Sequence, residues 1–481
     1  MRSRSLTALS AVGLSCASAG SPTSGGAPLP GGQDRPAPLL VGESSLGSLR
    51  ARKWRLSNGL EVILVPDPTA TSVAYMTWLR VGSRHEDADN GQTGLAHLFE
   101  HLMFTQSGDQ PGPGEFDRRM EEAGAATNAM TAHDFTAYID QVPASALPLA
   151  IRLEADRLVN LQLGEEQVRT ERDVVVEERL GSVDDSVDGT LEEMLYSRAF
   201  ERHPYRFPVI GRMEDIRGVS TDTARAFYRT HYAPNNAVLV VAGRFDADAL
   251  LAAVDAGYGR LHPSTALARH EIAPESPLAR PVRVAIERPV PADRLLLGFP
   301  APALGATDRA AFEVLDEILT GGPSARLHRR LVIESAMASS VDGGPSASKD
   351  PGLYSLWVQM RRGHLAAEAE SAVSSEIEAL LLRGLAEGEL DKAKNRLETA
   401  FWRALASSEG KATQLGEFEV VTGSFENLMA RATQIAAVTG EDVRAAVSAY
   451  LATPRRAVLV AHPAEKAPAR PSPASPVVPS P

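Results

Sequence analysis

The feature that most constrains the fold of this sequence is that it echoes itself. The strand-like segment NNAVLVVAGRF (235–245) returns as RRAVLVAHP (455–463), so that Val238 and Val458 stand 220 residues apart. The strand around Val73, within TSVAYMTWLRVG (71–82), returns at about the same spacing as DRLLLGFP (293–300). A single core stops growing near ~250–300 residues, whereas this chain has 481. The echo therefore predicts an α+β protein of two homologous domains, 51–264 and 265–464, joined where proline recurs between 262 and 280. LEVILVPD (60–67) and TSVAYMTWLRVG, separated by a Pro-containing turn, read as a hairpin. Helical patterns follow at 93–105, 143–161 and 165–180, with a further strand at Thr136–Gln141.

Composition narrows the function classes. Hydrophobic residues at 43% and charged residues at 23% describe an ordinary folded chain. Lys and Arg total 49 against 61 Asp and Glu, a net charge of −12 with no long basic run, which argues against nucleic-acid binding. The sole cysteine, Cys16, allows no intramolecular disulfide and no cysteine-based zinc site, so any metal must sit on histidine and carboxylate. Arg2 and Arg4 before the apolar run Leu6–Leu14, with small residues after it, read as a signal peptide over 1–20. That run is too short to span a bilayer, and no later stretch replaces it, so the expectation is an exported protein of the periplasm or cell envelope and not an integral membrane protein. Cys16 lies where a lipoprotein signal would be cut and lipidated, although Gly13, three residues earlier, departs from the Leu-like residue of such sites. Residues 21–50 read as a flexible linker, and the Pro-rich 465–481 as a disordered tail.

The chemistry concentrates in GLAHLFEHLMF. His97 and His101 are four apart and share a helix face, where they can offer two imidazole nitrogens to one cation; Glu100 borders that face. A catalytic zinc takes three protein ligands, and the best source of the third is TERDVVVEERL. There Glu171 and Glu178 are seven apart on one face while Glu177 points away. Either Glu177 or Glu178 could be the ligand; spacing favours Glu178 and leaves Glu171 to support the site. Without the histidines, the same helix would read as an acidic solvated face.

These residues resemble the pitrilysin and insulinase family, the inverzincins, which includes mitochondrial processing peptidase and many bacterial zinc proteases. The H-x-x-E-H of His97, Glu100 and His101, its position after a segment ending GSRHED, the ERDVVVEE glutamates and FYRTHYAPNNAVLVVAGRF carry the likeness, which spans about 52–463. It implies two domains, each a mostly antiparallel sheet packed with helices, together forming half of a clamshell. It implies one zinc per chain on His97, His101 and Glu178, with Glu171 as a supporting carboxylate, Glu100 as the general base, and hydrolysis of peptides or unfolded segments. It also implies that an extended substrate pairs with an edge strand in ATNAMTAHDFTAYI, at Asn128 and Ala129. Only the first half is armed: aligning HLMFTQSG with EILTGGPS puts Glu313, Asp316 and Glu317 at the motif positions of the second half. Self-sufficient members carry an Arg and, seven residues later, a Tyr in that half. Here LVIESAMASSV (331–341) supplies Val332 and Ser339, so the resemblance implies a homologous partner subunit that provides the pair. The competing reading is a catalytically silent structural or assembly subunit of the same fold.

Overall fold

The computed structural model describes residues 35–110, 112–267 and 272–464. The signal-like segment, Cys16, the first part of the linker and the Pro-rich tail lie outside them.

Among the described residues, twelve strands form two mixed sheets. The first holds β1 (Leu39–Leu46), β2 (Leu49–Arg55), β3 (Glu61–Pro66), β4 (Val73–Leu79), β5 (Ala126–Thr131), β6 (Thr136–Val142) and β7 (Ala237–Gly243), in the order β1-β2-β3-β7-β4-β6-β5. The second holds β8 (Val282–Arg288), β9 (Arg294–Ala301), β10 (Ala338–Pro345), β11 (Gly352–Met360) and β12 (Ala457–Pro463), in the order β10-β11-β9-β12-β8. The five strands β3-β7-β4-β6-β5 reproduce β8-β12-β9-β11-β10, including the one parallel pair in each sheet, β3 with β7 and β8 with β12. The 220-residue echo is therefore a repeat of topology, and the chain is a two-domain α+β protein.

Two sequence expectations are corrected. β3 and β4 do not form a hairpin, because β7 lies between them, parallel to β3 and antiparallel to β4. All seven β7 residues are buried, and a strand of this kind belongs in the middle of a sheet rather than at its edge. Leu39–Leu46, inside the stretch 21–50 read as a flexible linker, is instead an edge strand paired antiparallel with β2 across a turn at Gly47.

Each sheet is covered on both faces, and one cover is exchanged between the halves. The helix Ser408–Thr422 packs on the first sheet through Ala412, Leu415, Phe418 and Val421, against Met76, Trp78, Val238 and Val240. The helix Val187–Ala199 packs on the second through Leu191 and Leu195, against Leu296, Leu353 and Leu459. Both crossings are close. A Cβ on Gly416 would come within 2.1 Å of the Trp78 ring, and one on Gly298 within 2.4 Å of Leu195. Burial on this exchanged surface makes the halves one folded unit. The opposite face of the first sheet carries the larger core, which holds the helices Leu95–Leu102, Leu147–Asn160 and Glu165–Arg179. Among the described residues no helix is long and apolar enough to cross a membrane.

Candidate active site

His97, Glu100 and His101 lie on the helix Leu95–Leu102. Eight residues are too few for a helix to be stable in water by itself, so packing and capping must hold it. Leu95, Ala96, Leu98, Phe99 and Leu102 bury one side of it in the first core. Its C-terminal end is fixed where Tyr138 Oη donates to the Phe99 carbonyl at 2.9 Å. At its start, the two oxygens of half-buried Glu86 accept the Gly94 and Ala96 N–H groups at 2.8 and 2.7 Å, satisfying donors that a helix N-terminus leaves open. Gly94 caps the helix at φ +91° and touches Gly211, at φ +86°. A Cβ on Gly94 would lie 2.6 Å from the Ile210 carbonyl oxygen, and one on Gly211 would lie 2.5 Å from Gly94 Cα. Only glycine takes both the left-handed backbone and this approach without strain.

The contact also positions the second helix, Glu165–Arg179. Buried Arg179 donates to the Gly211 carbonyl at 2.6 Å and to Glu193 at 2.9 Å, while Val168 and Val175 enter the core. Its neighbour Glu178 thereby faces the histidines. His101 Nε2 lies 3.3 Å from Glu178 Oε2, and His97 Nε2 lies 3.7 Å from Glu178 Oε1. Glu171, two turns back, puts Oε2 3.8 Å from His101 Nδ1. The imidazoles meet edge to face with centroids 5.0 Å apart. Glu100 Oε2 accepts the Thr131 hydroxyl at 2.6 Å from β5.

One ligand atom each from His97, His101 and Glu178 falls within 4.8 Å of the others, the only such group of metal-binding side chains among the described residues. The donor set suits zinc: two imidazoles and a carboxylate, with the carboxyls of Glu100 and Glu171 beside it. His97 Nδ1 is buried with no protein hydrogen-bond partner, so structural bonds do not occupy this ring. Burial above all, with His101 adding to it and Glu100 and Glu178 opposing, lowers the His97 pKa, the direction that favours the neutral ring a metal ligand needs. Burial opposes charge on His101 too, but Glu178, hydrogen-bonded to it, outweighs that with help from Glu100 and Glu171 and raises its pKa. The same hydrogen bond lowers the Glu178 pKa, whereas burial raises that of Glu171.

The remaining predicted residues fall as follows. Asn128 and Ala129 lie on β5, the last strand of its sheet, and Asn128 Oδ1 takes the Ala129 N–H at 2.9 Å. His133, beyond that strand, is stacked on Tyr196 with its Nε2 3.3 Å from the Phe207 carbonyl oxygen. In the second half, arginines stand where a cation would. Glu313 pairs with Arg309 at 2.8 Å and with Arg431, Glu317 pairs with Arg396, and Asp316 accepts from Tyr354 at 2.9 Å. Val332 packs on the second core, and the Ser339 hydroxyl is spent on the Gln359 carbonyl at 3.2 Å. Sequence reasoning missed Glu86 and Thr131. For Thr131 a signal existed: the period-two alternation of β5 puts it on the face of Ala129.

Comparison with known proteins agrees with this architecture. The family profile described as "Insulinase (Peptidase family M16)" matches residues 61–212, and "Peptidase M16 inactive domain" matches residues 218–397. An uncharacterised zinc protease of Mycobacterium tuberculosis is 29% identical over 402 residues, covering 83% of this chain and 90% of that protein. The zinc protease PqqE of Helicobacter pylori is 29% identical over 369 residues, covering 76% and 82%. The crystal structure of a protease from Helicobacter pylori superposes with a TM-score of 0.81 at 26% identity, covering 87% of this chain and 100% of that one. Two family profiles in series, one on each half, match the repeat of topology seen in the sheets, and the chain belongs to the M16 family of pitrilysin- and insulinase-like peptidases.

Proposed function

We propose that this chain is a zinc-dependent endopeptidase acting on peptides or unfolded segments in a closed chamber. The observation that carries this reading is the convergence of His97, His101 and Glu178 within 4.8 Å, with Glu100 on the same helix as the two histidines. A zinc ion held by His97, His101 and Glu178 would supply a Lewis acid for the scissile carbonyl and bring the pKa of water towards ~7. Glu100 takes the proton of the attacking water and passes it to the leaving amine. Glu171 faces the second ring nitrogen of His101 and holds its orientation. An extended substrate adds to the open edge of β5 beside Asn128 and Ala129, a mode that reads backbone shape more than side chains.

At the positions where the family resemblance places a carbonyl-holding pair, Val332 offers no hydrogen bond and Ser339 bonds its own sheet. Donors of that type are worth about 2.7–4 kcal/mol in the transition state. We therefore include a homologous partner subunit that supplies an Arg and a Tyr. The signal-like residues 1–20 support export to the periplasm or envelope, with Cys16 as a lipid anchor. A silent assembly subunit would have no use for this convergent set.

The test is hydrolysis of a quenched-fluorescence peptide library by the full chain, alone and after co-expression with a homologue carrying the Arg and Tyr. Glu100→Gln should keep zinc and lose about 10²–10⁴-fold in kcat. Equal activity of Glu100→Gln and wild type would remove the mechanism, and full activity of the lone chain would remove the partner.

A further inference from the structure

Among the described residues, Thr131 is the one outside the His97 and Glu178 helices that the structure bonds to a motif carboxylate: its Oγ1 donates to Glu100 Oε2 at 2.6 Å. The bond comes from regular strand geometry. β5 alternates, and its odd-numbered residues face the helix layer. Thr127 donates to Asp117 at 2.8 Å, Ala129 packs on the first core and Thr131 reaches Glu100, while Met130 faces the opposite core. Thr131 is also anchored in register. It pairs with Thr136 at the last rung of β5 with β6, the next residue, Ala132, closes the turn by donating to the Phe135 carbonyl at 2.8 Å, and Thr136 is tied to the Val81 carbonyl at 2.9 Å. The donor is thus rigidly placed, whereas Glu100 is a flexible side chain on a short helix. No other protein donor reaches Glu100 among the described residues, so one oxygen is engaged and the other is left to accept a proton.

We infer that Thr131 is a positioning residue for Glu100: it fixes the rotamer of the base and ties that base to the strand on which substrate is laid. This rests on the proposed peptidase reading and adds a consequence to it. Thr131 is two residues from Ala129 on one strand, so the element proposed to align the peptide also aligns the group that moves its proton. A substrate paired in register meets a base already set at the matching rung. A base held this way loses turnover, and not affinity, when its tether is cut.

The experiment uses the full chain loaded with zinc and co-expressed with the homologue that carries the Arg and Tyr. It compares wild type with Thr131→Val (near-isosteric, no donor), Thr131→Ser (donor kept), Glu100→Gln, and the double variant Thr131→Val/Glu100→Gln. Zinc content is read by metal analysis and kcat and KM are resolved separately. The expected result is wild-type zinc in every variant, a fall of about tenfold in kcat for Thr131→Val with KM within about threefold, and recovery of most of the loss in Thr131→Ser. In the Glu100→Gln background, Thr131→Val should cause no further loss, because a residue acting through Glu100 has nothing left to act on. Should Thr131→Val fold poorly, Thr131→Ala gives the same comparison. An unchanged kcat without the hydroxyl, a serine variant as slow as the valine, or a further drop in the double variant would each overturn the assignment. Failure of the underlying reading is distinct: there, wild type itself shows no zinc-dependent hydrolysis, or Glu100→Gln equals it.

Discussion

The contact between Gly94 and Gly211 couples the two ligand-bearing helices, which makes Gly94→Ala the most informative perturbation of the scaffold. At φ +91° an alanine pays about 1–2 kcal/mol for left-handed backbone. Its Cβ would then lie 2.6 Å from the Ile210 oxygen and 3.1 Å from Gly211 Cα, both backbone atoms that cannot rotate aside. Forcing such contacts adds about 1–3 kcal/mol, for a total of about 2–5 kcal/mol. Part of that relaxes by moving the helix start, and His97 is three residues on. The same displacement strains the Gly211 carbonyl that Arg179 holds at 2.6 Å next to Glu178. Zinc affinity should therefore fall by about 10–100-fold along with stability, as it does when supporting residues of metal sites are disturbed. Urea denaturation of the metal-free chain and zinc titration against a competing chelator read the two effects. Gly181→Ala is the control, since its Cβ would meet nothing within 4 Å. If Gly94→Ala matched Gly181→Ala in both assays, the glycine contact would not set the site.

Other consequences can be checked independently. Glu178→Gln should weaken zinc binding at least tenfold more than Glu177→Gln, because Glu178 stands 3.3 Å from His101; the reverse ranking in a chelator titration would contradict the observed register. Burial, with Glu313 adding and Arg309 opposing, pushes the Glu417 carboxyl up to about 7 from the ordinary 4.5. Between those values the folded chain keeps a proton that the unfolded chain has shed, so this group costs stability as pH rises from about 4.5 to 7, by about 3 kcal/mol in full. Glu417→Gln should flatten that fall in denaturation midpoints, and an unchanged pH slope would count against it. Ala336 sits at φ +51° without being glycine, so Ala336→Gly should stabilise by up to about 1 kcal/mol, and destabilisation would show that the backbone there is not strained.

What the sequence made legible was local or periodic. The His97 and His101 pair needs only helical spacing, whereas for the third ligand the seven-residue face favoured Glu178 over Glu177 and the family resemblance implied it. The paired strands Val238 and Val458 showed the repeat because buried strands in equivalent places keep the same apolar run. The failures are tertiary. β7 inserts between β3 and β4 from more than 150 residues downstream of β4, and no local pattern records such a partner. β1 is a half-exposed edge strand in Gly- and Ser-containing sequence, so its composition resembled a tether while its pairing with β2 ordered it. Glu86 and Thr131 act on backbone amides and on a carboxylate from other elements, and only the fold brings them there.

The most direct test of the account is the zinc content of the purified full chain by metal analysis, for wild type beside His97→Ala and His101→Ala. The account predicts one zinc per wild-type chain and none in either variant, with both variants still folded. A wild type without stoichiometric zinc after metal loading, or full occupancy in both variants, would contradict it.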